Sequence, residues 1–321
     1  MPVLQVENLK TCYFTRAGVV KAVDGVSFTL EAGQVLGLVG ESGSGKSVTG
    51  FSIMGLVDPP GRIVSGRVLL DGENLLAKSE TELRKLRGDR IATIFQDPMM
   101  TLNPVLRIDT QMIETVRAHR QINSSEAREL ARAALARVGL PAPDERLAAY
   151  PHQLSGGMRQ RVAIAIALLN NPRVIIADEP TTALDVTIQA QILCEVQKLA
   201  HDTGAALIWI THDLSVIAGL ADEVCVMYAG RIVESGPTAE LLDRPLHPYT
   251  AGLIASIPSR NERGKPLKQI PGMTPSLANL EPGCAFRERC ARVTDACRVA
   301  PEITQPSPLR TLRCFHPVAT A

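Results

Sequence analysis

An α/β fold with a parallel core sheet is what the sequence predicts, and three observations carry the prediction. Four short apolar runs rich in branched residues, Val35–Val39, Ile91–Phe95, Val174–Ala177 and Ala205–Ile210, have the length and composition of strands covered by helices on both faces. A glycine-rich turn joins the first of them to a helical stretch from Lys46 to Leu56. A segment rich in Ala, Arg, Glu and Leu, Ser125 to Val138, has helical spacing and stops at Gly139-Leu140-Pro141.

Taken along the chain, these signals define an N-terminal antiparallel β part, with Ser65-Gly66-Arg67-Val68-Leu69-Leu70-Asp71-Gly72 as a strand and its turn. Residues 1 to about 96 and about 171 to 240 are expected to form the α/β core. A helical subdomain of about 97–170 lies between them. The stretch 1–240 is therefore read as one domain and 241–321 as a Pro- and Cys-rich extension, because eleven of the 22 prolines and four of the seven cysteines fall in the last 81 residues.

The turn Gly40-Glu41-Ser42-Gly43-Ser44-Gly45-Lys46-Ser47 matches the phosphate-binding loop of P-loop NTPases. Its glycines let consecutive amides face phosphate oxygens, and the following helix adds partial positive charge at its N-terminus. Lys46 is placed to reach the β- and γ-phosphates, and the Ser47 hydroxyl to ligate Mg2+. The loop by itself selects only ATP or GTP. A second motif, Leu154-Ser155-Gly156-Gly157-Met158, precedes the strand that ends at Ala177-Asp178-Glu179-Pro180. Taken one at a time, such pieces could be helix caps or solvated strand ends. Unrelated caps have no reason to fall in this order.

In this order the motifs resemble those of ATP-binding cassette (ABC) proteins. Leu154-Ser155-Gly156-Gly157 looks like the signature motif, with Met158 where Gln is usual, and Asp178-Glu179 like Walker B. Gln96 resembles the Q-loop glutamine, Ala183-Leu184-Asp185 the D-loop and His212 the switch histidine. Tyr13 sits where the family places the aromatic residue that stacks on adenine, although a Tyr beside Phe14 in a strand is equally read as core packing. The resemblance implies ATP and Mg2+ as ligands: Gln96 and Ser47 on the metal, Asp178 on it through water, Glu179 polarising the attacking water and His212 at the γ-phosphate. Ser155, Gly156 and Gly157 would serve the nucleotide of a partner cassette. The four strands should bring these groups together, since each group follows a strand's carboxyl end.

Composition sets the limits. A net charge of +1 gives no sign of nucleic-acid binding. The longest unbroken apolar run, Val162 to Leu169, is far short of the ~20 residues that span a bilayer. The start Met1-Pro2-Val3-Leu4-Gln5-Val6-Glu7 lacks a signal peptide's basic and apolar regions, so a cytosolic chain is expected. Cys12, Cys194 and Cys225 have apolar neighbours and are read as small buried residues.

Cys284, Cys290, Cys297 and Cys314 are different: in a cytosolic chain a cluster of cysteines argues for a metal centre before disulfides. Zinc sites favour Cys-x2–4-Cys pairs, and the gaps here are five, six and sixteen residues. Both zinc and a wider iron–sulfur cage stay open on spacing. Cys284-Ala285-Phe286-Arg287-Glu288-Arg289-Cys290, with Cys297, Pro301 and Cys314-Phe315-His316, resembles the C-terminal extension of dipeptide and oligopeptide importer ATPases, members of which carry a [4Fe-4S] cluster there. Tyr150-Pro151-His152-Gln153 ahead of the signature is typical of the same branch. That resemblance implies an ATPase powering peptide import, with related nickel or opine importers as the alternative and a non-transport ABC ATPase a more distant one. It also implies a second ABC ATPase subunit, two transmembrane permeases and an extracytoplasmic solute-binding protein. The chain would then lie peripherally on the cytoplasmic face of the inner membrane, touching the permeases through Asp97–Pro104. Core filling is the other reading of Met99-Met100.

Overall fold

The computed structural model describes residues 2–181, 186–262 and 264–318. The chain forms two compact units, one built from residues 1–3, 31–34 and 77–208, the other from 4–30, 35–76 and 209–321.

The second unit begins with an antiparallel hairpin, β1 (Leu4–Thr15) and β2 (Gly18–Leu30), with Thr15 opposite Gly18. β3 (Val35–Val39) is buried at every position, as its unbroken apolar run requires. After the phosphate loop comes α1 (Lys46–Met54), closed by Gly55 at φ 66, a conformation glycine adopts without strain. β4 (Gly61–Leu70) lies beside β1 and β5 (Glu73–Asn74) beside β4, giving the order β2-β1-β4-β5 and the antiparallel part that was expected.

The first unit opens with α2 (Glu80–Leu86), started by a capping box of Ser79 and Glu82. β6 (Ile91–Ile94) follows, then α3 (Ile108–Arg117), α4 (Ser124–Arg137), α5 (Pro143–Ala148) and α6 (Gly156–Leu168). Asn123 caps α4 with Glu126 as its reciprocal partner, so the Asn123-Ser124-Ser125 triplet is a helix start. Ile108, Met112 and Val116 of α3 and Ala127, Ala131 and Leu135 of α4 are buried at four-residue steps, the spacing that aligns one helical face. β7 (Val174–Asp178) pairs parallel with β6, Ala177 opposite Ile94. On α7 (Val186–Thr203), Ile192, Val196 and Ala200 form the buried stripe. Cys194 lies off that stripe and is exposed, which corrects the expectation that it is buried; Cys12 and Cys225 are buried as expected.

The boundary between the units falls inside β8 (Ala206–Thr211), which is buried throughout. The second unit then resumes with α8 (Leu214–Ala218), β9 (Glu223–Tyr228), β10 (Arg231–Pro237), α9 (Thr238–Asp243), α10 (Pro248–Ala255), β11 (Thr304–Ser307) and β12 (Arg310–Leu312). Its strands run β11-β12-β10-β9-β3, with β3 parallel to β9 and the rest antiparallel. The proline count predicts a mostly irregular segment from Leu241 to Leu280, and the described residues there are so apart from the end of α9, the short α10, which starts with Pro248 in its first turn, and two single-turn 3-10 helices; beyond it β12 joins β10. The anchor is Glu234, fully buried on β10: its carboxylate accepts the N–H of Leu246 at 2.8 Å and of His247 at 2.9 Å and pairs with Arg310.

Candidate functional site: the phosphate loop and its companions

The phosphate loop leaves the carboxyl end of β3 and turns on three glycines with positive φ, Gly40, Gly43 and Gly45. Two are fixed by packing as well. A Cβ on Gly40 would lie 2.3 Å from the Met227 carbonyl oxygen, and one on Gly45 2.2 Å from that of Ala22. The loop is therefore pressed against β9 on one side and β2 on the other. Gly45 starts α1 with no side-chain cap and no acidic residue in the first turn, which leaves that helix end suited to an anion. Lys46 is buried, its Nζ donating to the carbonyls of Gly40 at 2.8 Å and Glu41 at 3.0 Å, so the ammonium sits within the ring the loop makes. Ser44 Oγ is buried without a hydrogen-bond partner among the described residues. Ser42 and Gly43 are exposed, and Ser47 is half-buried one residue into the helix. An uncapped helix end, an enclosed ammonium and an orphaned hydroxyl together suit a polyphosphate and its cation.

Tyr13 is half-buried on β1, opposite Val20 and Gly61. A Cβ on Gly61 would come within 2.7 Å of the Tyr13 ring, so glycine there makes room for it. Its neighbour Phe14 is 45% exposed under the Arg62 guanidinium. His212 follows β8, is exposed, and precedes Asp213, which caps α8 through Ser215 N–H at 2.8 Å.

In the first unit, Gln96 follows β6 and is exposed, while Asp178 ends the adjacent parallel strand and is buried. The two therefore stand at the same end of neighbouring strands. Glu179 has φ 44, a left-handed conformation that costs a non-glycine residue of order 1 kcal/mol and clusters at functional sites. Ser155 caps α6, its Oγ accepting the Met158 N–H at 3.3 Å. Ser155 and Gly156 are exposed and Gly157 half-buried; a Cβ on Gly156 would meet nothing within 4 Å. The glycine at 156 is thus not required by this chain's own packing. Arg161 ties α6 to α7 through Glu195 at 2.6 Å and Gln191 at 2.9 Å. Met99 and Met100 are exposed, 37% and 63%, which removes the core-filling reading of that pair. The expected D-loop residues Ala183, Leu184 and Asp185 lie outside the described residues.

In the extension, Cys284 N–H donates to the Cys297 carbonyl at 2.9 Å. Sulfur accepts backbone amides twice over: Arg292 N–H to Cys290 Sγ at 3.4 Å and His316 N–H to Cys314 Sγ at 3.3 Å. Burial pushes the Cys314 thiol up to about 11, with Cys284, Cys290 and Cys297 adding to the rise. Burial likewise raises Cys284, helped by Cys297 and Cys290. Cys314 and Cys284 thus both feel neighbouring cysteines of this group. Even so, among the described residues no three His, Cys, Asp or Glu are gathered as a single metal ion would need. His316 is engaged with Thr294 Oγ1 at 2.6 Å.

Sequence reasoning did not find Arg289, Tyr249 or Thr274, which contact Glu41 of the phosphate loop. Nothing in the sequence ties them to Glu41, which stands more than 200 residues away along the chain.

Comparison with known proteins gives the same outline. The family described as "ABC transporter" matches residues 23–182, and "Oligopeptide/dipeptide transporter, C-terminal region" matches 233–297. The oligopeptide transport ATP-binding protein OppD of Salmonella typhimurium is 46% identical over 315 residues, covering 98% of this chain and 94% of that protein. AppD of Bacillus subtilis, also an oligopeptide transport ATP-binding protein, is 46% identical across 97% of this chain and 96% of its own length. Among solved structures, the dimeric bacterial ABC transporter cassette MJ0796 superposes with a TM-score of 0.66 at 29% identity, over 73% of this chain and 98% of that one. The cassette fold is therefore shared, and no helix among the described residues is long and apolar enough to cross a membrane. The chain belongs to the ABC transporter family, as an ATPase of its oligopeptide and dipeptide importer branch.

Proposed function

We propose that this ATPase works as one of two cassettes that close around two nucleotides, each phosphate loop facing the other chain's signature motif. The observation that carries the reading is the exposed α6 start, where Ser155 and Gly156 face open space and glycine serves no internal packing. A glycine kept where its own chain leaves room suits close approach by something external. Phosphoryl transfer asks mainly for positioning and for positive charge around the γ-phosphate. Lys46 and the loop amides supply that charge, Ser47 and Gln96 would hold Mg2+ with Asp178 acting through water, and Tyr13 would face adenine. Mg2+, when bound, offsets charge on the β- and γ-phosphates. Glu179 orients and polarises the attacking water, and its strained backbone is consistent with a residue fixed for one geometry. His212 would contact the γ-phosphate, and the D-loop role of Asp185 rests on the sequence alone.

The partners in this reading are a second, different ABC ATPase, two permeases and an extracytoplasmic binding protein, with the chain on the cytoplasmic face of the membrane. Exposed Met99, Met100 and Val105 suit a permease contact. The reading treats 1–240 as the nucleotide-binding domain and 241–321 as an extension whose four thiols hold a [4Fe-4S] cluster. The amide-to-sulfur hydrogen bonds at Cys290 and Cys314 suit thiolate ligands. Zinc is the weaker fit on spacing, because the extension has no Cys-x2–4-Cys pair.

Two measurements test this. ATP hydrolysis should be near background for the chain alone and appear on assembly with the partner ATPase and permeases; full turnover by a monomer would refute the two-cassette reading. Iron, acid-labile sulfide and zinc should be measured on anaerobically purified protein, with Cys284, Cys290, Cys297 and Cys314 changed to Ser as control. Iron and sulfide lost in the control support the cluster, whereas stoichiometric zinc overturns it.

A further inference from the structure

Glu41, the second residue of the phosphate loop, is held at each of its polar groups. Its N–H donates to the Tyr249 hydroxyl at 2.8 Å, and its carbonyl accepts from Lys46 Nζ at 3.0 Å. Its carboxylate receives Arg289 in a two-pronged pair, Nη1 to Oε2 at 2.6 Å and Nη2 to Oε1 at 2.9 Å, with Thr274 Oγ1 at 3.2 Å from Oε2. Tyr249, Thr274 and Arg289 all come from beyond residue 240.

Arg289 is itself fixed. Its Nε donates to the Pro271 carbonyl at 2.9 Å, Nη1 lies 3.3 Å from the Tyr228 hydroxyl, and the guanidinium stands 5.8 Å and 5.9 Å from the ring centres of Tyr228 and Phe286. Its side chain is only 5% exposed. A planar fork locked on three sides presents one geometry to its carboxylate.

The phosphate-loop pattern leaves the residue after its first glycine unspecified, so phosphate binding does not call for a carboxylate there. An anion in the loop works against a polyphosphate unless it is neutralised. Arg289 supplies that neutralisation and holds Glu41 below the ordinary carboxylate range. We propose that Arg289 is a positioning residue of the ATP site, which neutralises Glu41 and fixes the first turn of the phosphate loop, so that the C-terminal segment sets nucleotide affinity. The inference rests on the ATP-binding role of the loop and is independent of what the four thiols hold.

The test is Mg-ATP affinity of the full chain, by equilibrium titration, for Arg289→Ala, Glu41→Gln and the double variant, with iron content and thermal unfolding recorded alongside. Arg289→Ala leaves a bare carboxylate and should weaken binding at least tenfold. Glu41→Gln removes the charge and should weaken binding less than Arg289→Ala does. The double variant should regain most of the loss, an outcome that general destabilisation or loss of a cluster would not give. In the assembled complex, Arg289→Ala should raise KM for ATP with kcat within about twofold. Wild-type affinity in Arg289→Ala, or a double variant no tighter than Arg289→Ala, overturns the proposal. Should Arg289→Ala not fold, Arg289→Gln removes the charge and keeps a polar side chain: weakening that Glu41→Gln reverses supports the proposal, and wild-type affinity refutes it.

Discussion

Replacing Gly156 by Ala separates the stability of the fold from its chemistry. Gly156 is the first residue of α6, its backbone is outside the left-handed region, and an added Cβ meets nothing within 4 Å. Within the chain the methyl therefore costs no packing. Alanine exceeds glycine by about 0.8–1.0 kcal/mol in a helix interior and by less in the first turn, so stability should be unchanged or rise by up to about 0.5 kcal/mol. In the proposed two-cassette arrangement the same methyl would stand where the partner's phosphates approach. Losing one aligned donor to a phosphoryl-type transition state costs on the order of 10²–10³ in kcat. Urea unfolding of the chain and ATPase of the assembled complex, measured on the same preparation, should show an unmoved midpoint and at least a hundredfold loss of turnover. Turnover within threefold of wild type would refute the assignment of Gly156 to the partner's nucleotide; a loss matched by a lowered midpoint would place its role in folding.

The other glycine class should behave oppositely: Gly45→Ala, at φ 102 with its Cβ 2.2 Å from the Ala22 carbonyl, must displace the loop and should abolish Mg-ATP binding in an equilibrium titration. Arg310→Met strips the cation from fully buried Glu234 and should destabilise by about 3–5 kcal/mol in urea, even though two backbone amides remain on the carboxylate. His247 is buried, and burial pushes it down from 6.5 to about 4 while its Nδ1 accepts the Tyr249 N–H. Between those values the unfolded chain binds a proton that the folded chain excludes, so stability falls as pH drops through 6.5 and the contribution is gone near 4, by about 3 kcal/mol in all. His247→Asn keeps a capping acceptor and should flatten that acid limb; an unaltered slope would show that another group carries it.

Much of this was legible in the sequence because its carriers are local. The run Val35–Val39, the glycines of the phosphate loop and the Lys46 helix were each written in adjacent residues, and they fold as read. The helical subdomain was visible in α4, whose start shifts by one residue because Asn123 caps it. What stayed hidden depends on partners distant in sequence. Glu41 looks like a spare residue until Arg289 folds onto it, and Glu234 looks like an exposed charge on an alternating strand until Arg310 and two amides satisfy it. Cys194 was misjudged from its neighbours' hydropathy, because helical periodicity places it off the buried stripe. Proline density marked Leu241–Leu280 as mostly irregular, and it is, except where Pro248 is accommodated in the first turn of α10.

In the proposed mechanism, ATP hydrolysis at Glu179 powers peptide import. The most direct measurement is peptide uptake and ATP hydrolysis in proteoliposomes bearing the assembled transporter, wild type against Glu179→Gln. The variant should bind Mg-ATP with wild-type affinity while both hydrolysis and uptake fall by at least a hundredfold. Hydrolysis or uptake near the wild-type rate in Glu179→Gln would contradict it.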